Sequence, residues 1–285
     1  MKAYIDCYPC FLRQSIAAAR HAKCPEPQLH GVVQSVLDVL RQLQPDANPA
    51  EIACLVHRIV REKLNNEDPY ENEKKKSTQM ALSLYPRLKE RLVPDNNIEN
   101  FLRMSIAGNI IDLGVSDQYD DLWSTVERVL VQPFAIDDSK ALVEKLDTVD
   151  RLLFLADNAG ETVFDRILIE SLPHSVVYAV KENPVLNDAT RKDALAAGLD
   201  QCTEIVSNGS DAPGTVLPLC SDEFVALFES YELIIAKGQA NYESLSMAGE
   251  KVFCLLQVKC PVIGADIGAP VGGIVIRQSR QEIAP

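Results

Sequence analysis

The second half of the chain alternates short apolar runs with helical patterns, and that alternation leaves few folds open. RLLFLA (151–156), SVVYAVK (175–181), CTEIVS (202–207), ELIIAK (232–237) and VFCLLQVK (252–259) are rich in Val, Ile, Leu and Phe. TVFDRILIESL, ATRKDALAAGL, SDEFVALFESY and YESLSMAGE lie between or after them with helical spacing. Runs that are apolar throughout, rather than at every second residue, belong to strands buried on both faces. Helices between such strands imply a mostly parallel sheet covered on both sides. GGIVIR (272–277) is expected to add a last strand.

The first half has the period of helices. FLRQSIAAARHA (11–22), QLHGVVQSVLDVLRQL (28–43) and NPAEIACLVHRIVREKL (48–64) lead, the last with Asn48 as N-cap and Pro49 in the first turn. Helices are expected again over 72–92, 97–112 and 121–132, and no strand before about residue 150 except a short AYI at the start. The fold class is therefore α/β: a three-layer, doubly wound, mostly parallel sheet with an N-terminal helical bundle. Residues 1–145 form the helical region packed on the core. Residues 146–285 form the α/β domain that would bind metal and phosphate.

The formal net charge of −13 argues against a nucleic-acid or anionic-membrane partner. No apolar run approaches the roughly 18–20 residues of a membrane span, and MKAYIDCYPCFLRQ has no signal-peptide apolar region. A cytoplasmic protein is expected. Among the eight cysteines, Cys54, Cys202, Cys220 and Cys254 are expected to be core thiols.

In a parallel sheet the strand exits share one edge, where open α/β sheets bind ligands. The exits here are DNAGE (157–161), KENPVLND (181–188), SNGSDAPGT (207–215), KGQANYES (237–244) and KCPVIGADIGAPVGG (259–273). Asp157, Asn158 and Asp188 offer hard oxygens that suit a small divalent cation. Lys237 and Lys259 suit an anion. Gly160, Gly209, Gly214 and Gly238 allow backbone N–H groups to approach one, with Ser207 and Asn208 in the same loops. Carboxylates for a metal beside lysines and amides for an anion describe a site for a phosphate ester. Each residue has a plainer reading. Asp157-Asn158 and Asn187-Asp188 could be helix caps, Glu161 a first-turn acid, and the lysines snorkelling side chains. Five consecutive polar exits favour the site, since caps do not call for lysines.

GxxxxGK[ST], GxGxxG and GxSxG are absent, and Ala159 stands where a DxDxT phosphatase needs its second aspartate. The four histidines, at 21, 30, 57 and 174, have no metal-binding spacing. Cys7 and Cys10 form a lone CxxC at a helix start, readable as structural thiols, half a zinc site or a redox pair. The charged run EDPYENEKKKS (67–77) reads as a solvated face. Asn109 and Asp112, three apart on an apolar helix, could face a cleft or satisfy each other in the core.

CYPCFLRQ, DPY, AGNIID, DNAGE, KENPVLND, SNGSDAPGT, KGQANYE and KCPVIGADIGAPVG occur in an order that resembles the domain of unknown function 89, or damage-control phosphatase, family. The CxxC form resembles its prokaryotic subgroup. The likeness covers nearly the whole chain and departs after DPY, where ENEKKKST replaces the KExK-like arrangement often seen. It implies an α/β/α sandwich with an appended helical bundle. It also implies a phosphatase of small phosphorylated metabolites supported by Mn²⁺, Ni²⁺, Co²⁺ or Mg²⁺. On that pattern Asp157, Asn158 and Asp188 hold the metal, and Lys237 with Asn241 contacts the phosphate. Lys259 adds positive charge, and Asn109 and Asp112 line the substrate side.

The leading expectation is a phosphomonoesterase that uses metal-activated water, with Glu161 or Asp211 as candidate general acid. One alternative is a non-catalytic module that binds a phosphorylated metabolite or nucleotide in the same pocket. The other is a redox or zinc protein built on the CxxC.

Overall fold

The computed structural model describes residues 1–44, 46–92, 97–109 and 119–281. Its elements run α1 (Cys7–His21), α2 (Glu26–Leu40), α3 (Pro49–Leu64), α4 (Glu71–Leu92), α5 (Ile98–Gly108), α6 (Tyr119–Val131), β1 (Phe134–Asp137), α7 (Ser139–Leu146), β2 (Arg151–Leu155), α8 (Thr162–Ser171), β3 (Ser175–Val180), α9 (Arg191–Ala196), β4 (Glu204–Ser207), α10 (Asp222–Ser230), β5 (Ile234–Lys237), α11 (Gln239–Leu245), β6 (Val252–Gln257), α12 (Pro261–Ile267) and β7 (Ile274–Gln278). The apolar runs of the second half become β2 to β6, within a few residues of their expected ends. They pair in parallel within a seven-stranded sheet ordered β1-β7-β6-β5-β2-β3-β4. β7 is antiparallel to β6, and β1 lies parallel to β7 at the edge.

Two expectations about the first half need correction. AYI at the start takes no strand, and β1 forms well before residue 150. Phe134, Ala135, Ile136 and Asp137 alternate between half-buried and exposed, because an edge strand has one covered side. Four residues carry too short an alternation to stand out as a strand. Arg103 of α5 fixes this edge, its guanidinium carbon 3.9 Å from the Phe134 ring centroid.

Alternation along each central strand feeds two cores. Leu152 and Phe154 of β2 point to a core shared with α4, α5, α6 and α8. Leu153 and Leu155 point to the opposite core, shared with α10, α11 and α12. Helices on both faces of a buried sheet give the three layers. A third apolar cluster, with Phe11, Val32, Val36, Ile52, Val56 and Val60, joins α1, α2 and α3 into a bundle. Asn48 caps α3 as the sequence indicates, accepting from Ala50 N at 2.9 Å. Among the described residues no helix is long and apolar enough to cross a membrane.

The bundle is clasped to the sheet edge by charge. Arg58 Nε of α3 donates to Asp211 Oδ2 at 2.8 Å, and Arg61 also reaches that carboxylate. Arg61 Nη1 donates to Pro184 O at 2.7 Å. Burial would raise the Asp211 pKa, but hydrogen bonds and charge from Arg58 and Arg61 outweigh it and hold the carboxyl down at about 2. A depressed carboxylate stabilises the fold above its unfolded value, near 4, and stops doing so as pH falls through its folded value. Asp211→Asn should therefore lower stability at pH 7 by about 1–2 kcal/mol, allowing for solvent screening. Thermal melts of the two proteins should converge between about pH 4 and pH 2. Equal melting temperatures at pH 7 would refute the clasp.

Candidate active site

β2 delivers its last side chains to the edge of the sheet, and the chain then makes one 3₁₀ turn, Ala159–Glu161, before α8. That turn packs closely under α4: a Cβ on Gly160 would stand 2.9 Å from Ser77 Cβ. Asn158 makes no side-chain cap to this turn. Its amide Nδ2 instead donates to Asp157 Oδ2 at 3.0 Å and to Glu161 Oε1 at 2.6 Å. Facing two acceptor-only carboxylates, the amide must present its NH₂, and Oδ1 becomes the end they do not hold. Asn109, at the C-terminus of α5, repeats the arrangement with 2.9 Å to Asp157 Oδ2 and 2.6 Å to Glu161 Oε1. Its own oxygen accepts from Gln257 N of β6 at 3.2 Å. Two amides thus fix the Asp157 carboxylate from behind.

A further layer of charge lies beneath. Lys237, the last residue of β5, is fully buried and surrounded by Asp165 Oδ1 at 2.7 Å, Ser105 O at 2.8 Å and Glu161 Oε2 at 3.1 Å. Asp165 also accepts from Ser105 Oγ at 2.7 Å and Tyr178 Oη at 2.8 Å. Burial pushes Asp165 up, and Lys237 opposes this only in part. For Glu161, burial is outweighed by the charges of Lys237 and Lys259 and by the two amides, so its carboxyl lies below the ordinary range. Glu161 is therefore an ionised anchor and has no proton to donate near neutral pH. Asp211, held at about 2 by two arginines, cannot serve as a general acid either.

The loop after β3 brings Asp188 alongside. Asn158 and Asp188 are antiparallel bridge partners, Ala159 N donates to Asn187 O at 2.9 Å, and Ala189 N to Asp157 O at 2.8 Å. Asp188 is not a cap, since Thr190 and Asp193 form the capping box of α9. Lys181 Nζ lies 3.5 Å from Asp188 Oδ2. Lys74 of α4 holds the start of α9, which follows that loop, contacting Asp193 at 3.1 Å and, just before its own helix, Asp68 at 2.7 Å. This corrects the reading of 67–77 as a solvated face: Lys74 is buried, although Lys75 beside it is not.

Asp157, Asn158, Asp188 and Lys259 share the wall of a cleft of about 800 Å³ between α1 and the sheet edge, with Cys7, Cys10, Arg13 and Cys260 also lining it. The other expected site residues are distributed differently. Asn109, Glu161, Lys237 and Asn241 lie buried behind that wall. Asn241 donates to Ala156 O at 3.1 Å and Lys237 O at 2.7 Å and accepts from Thr215 Oγ1 at 2.8 Å, which ties the ends of β2 and β5 together. Gly238, at φ +82°, lets the chain pass against Asp157, where a Cβ would stand 1.9 Å from Oδ2. Ser207, Asn208 and Gly209 form their own turns, with Ser207 Oγ accepting from Gly209 N at 3.0 Å and Asn208 Oδ1 from Ser210 N at 3.0 Å. Those three do not line the cleft. Asp112 lies outside the described residues.

Sequence reasoning passed over Ser105, Asp165, Tyr178 and Lys181. The only signal for Asp165 was its place one turn after Glu161 on the same helix face. Four buried carboxyls (Asp157, Glu161, Asp165, Asp188) accompany two buried ammonium groups (Lys181, Lys237), an excess of negative charge that a divalent cation would balance. The donor set that reaches the cleft is two carboxylates and an amide. Among the described residues no three His, Cys, Asp or Glu side chains gather as a metal site. Hard oxygens in this number fit an ion such as Mg²⁺ or Mn²⁺ that keeps other positions for water and substrate.

A parallel-sheet edge with an acid–amide–acid wall and a lysine beside it is the architecture of an α/β enzyme acting on an anionic substrate. A model of the damage-control phosphatase ARMT1-like domain matches residues 3–275. A damage-control phosphatase of Pyrococcus horikoshii is 32% identical, covering 98% of this chain and 99% of its own. One from Archaeoglobus fulgidus is 30% identical over 97% of this chain and 99% of its own. The crystal structure of a P. horikoshii domain of unknown function 89 protein superposes with a TM-score of 0.92 at 32% identity, covering 98% of this chain and all of that one. The chain belongs to the damage-control phosphatase ARMT1-like family.

Proposed function

We propose that the protein hydrolyses phosphomonoesters of small metabolites with a divalent ion, Mn²⁺, Ni²⁺, Co²⁺ or Mg²⁺, held by Asp157, Asn158 and Asp188. The observation that carries this reading is the fixed wall formed by those three residues with Lys259 on one cleft. When bound, such an ion would supply Lewis acidity toward the phosphoryl group and toward water. The rest is done by the chain. Asn109 and Asn158 orient Asp157, while Lys237 and Asp165 keep Glu161 in place to receive both amides. Lys237 thus positions the site from behind, and Lys259, which lines the cleft, is placed to attract the phosphoryl oxygens. α1 closes the cleft and limits water around the ester. A reducing cytoplasmic setting agrees with eight free cysteines.

Metal-stripped protein should hydrolyse 4-nitrophenyl phosphate only after Mn²⁺, Ni²⁺, Co²⁺ or Mg²⁺ is restored. Unchanged hydrolysis after stripping would refute the metal requirement. A protein that binds phosphate esters without hydrolysing any, under every ion, would be the non-catalytic module instead.

A further inference from the structure

Glu161 lies buried behind the cleft wall and Asp211 is held by Arg58 and Arg61, so neither candidate acid faces the cleft as a proton donor for the leaving group. α11 supplies one. It begins beside Gly238, whose Cα abuts the Asp157 carboxylate, and Gln239, Ala240 and Glu243 turn toward the cleft. Gln239 Oε1 accepts from Lys259 N at 3.2 Å, which ties the main chain of this cleft-lining lysine to the start of the helix. Glu243 follows one turn later, about 7–8 Å along the axis from Gly238. A phosphoryl group held between Asp157 and Lys259 would direct its ester substituent along that helix face. The Glu243 main chain is fixed, its carbonyl accepting from Asn48 Nδ2 of α3 at 3.1 Å.

We propose that Glu243 is the general acid of the hydrolysis, giving its proton to the ester oxygen of leaving groups that depart only as alcohols. This rests on the phosphatase reading above. Water oxygen forms the new bond to phosphorus. The ester P–O bond breaks with its electron pair going to the ester oxygen, which takes the Glu243 proton and departs as an alcohol. The proton lost by the attacking water returns the Glu243 carboxylate to its acid form, so ester and water give alcohol and phosphate.

The surroundings suit the task. Burial pushes the Glu243 carboxyl up to about 7, with the amino terminus and a Gln239 hydrogen bond pulling the other way and Asp266 of α12 adding repulsion. Cys7 of α1 also faces it, and the neighbouring α3 side chain, Asn48, is uncharged. The Met1 ammonium lies against the Glu243 main chain, donating to its carbonyl at 2.6 Å. The remaining carboxyls on the cleft wall are Asp157 and Asp188, assigned to the ion, and Asp6, which is exposed. A donor that titrates near the working pH is the most effective kind.

Glu243→Gln keeps the size and removes the proton. Its turnover of glycerol phosphate, a poor leaving group, should fall about 10²-fold, the scale of general acid catalysis. Turnover of 4-nitrophenyl phosphate, whose leaving group needs no proton, should fall no more than about 3-fold, since the acid contributes little there. Wild-type turnover of glycerol phosphate should decline as pH rises through about 7, where Glu243 loses its proton, and the variant should lack that limb. Equal losses on both esters with an unchanged pH profile would overturn the role, as would no loss on either. A wild-type protein that hydrolyses neither ester with any divalent ion would overturn the phosphatase reading itself and this role with it.

Discussion

Lys237→Met should lower the stability of the protein by about 3–5 kcal/mol, the scale on which a buried ion pair broken from one side destabilises a fold. Methionine fills the lysine channel without its charge. Glu161 and Asp165 would then remain at full burial with no cation between them, and Ser105 O would lose its donor. Both carboxyls would take up protons more readily than they do now, so the deficit should shrink as pH falls toward 5. Adding Asp165→Asn should return part of the loss, because the two residues are in contact and their effects are not additive. Urea denaturation at pH 7 and pH 5 reads all three results. A single variant as stable as the wild type at pH 7 would show that the buried ammonium does not hold this layer together.

Asp157→Asn should leave the fold intact and remove about 10²–10³-fold of the turnover, the order lost when one preorganised charge-stabilising group is taken from a site. The amide has the shape of the carboxylate, and one oxygen can still accept from Asn109 and Asn158. The other position becomes an NH₂, which cannot ligate a cation. Mn²⁺ affinity, read by calorimetry, should fall with turnover, while the melting temperature should change little. Turnover that survives would place the chemistry elsewhere in the cleft.

The parts of this molecule that could be read in the sequence are those in which local pattern and tertiary role coincide. β2, β3, β5 and β6 bury consecutive apolar residues because helices cover both faces, and that property is visible in a window of six residues. β1 is at an edge, where a strand needs only one apolar side, and FAID does not announce itself. Asp157-Asn158 could be located by its place after β2, and of its two readings the helix cap is the one the structure does not bear out, since Asn158 makes no side-chain cap. The Asn158 amide is turned to carboxylates that are close only after folding. Lys237 could be placed at the site, but not its complete enclosure, because Ser105 and Asp165 arrive from α5 and α8. Asp211 reads in the sequence as a candidate general acid, but its partners, Arg58 and Arg61, lie on a helix about 150 residues earlier and bind its carboxylate. Lys74 sits in a run of three lysines whose burial differs from one residue to the next, a distinction that only the packing of α4 creates.

The account stands or falls on where a divalent ion binds. Crystals soaked in Mn²⁺ and measured at a wavelength that excites manganese should show one strong anomalous peak, within bonding distance of oxygens from Asp157, Asn158 and Asp188 and on the cleft side of Asp157. The same soak of Asp157→Asn should lose it. A peak bound by other residues, or no peak at this wall in crystals of protein that turns over phosphate esters with Mn²⁺, would contradict the assignment.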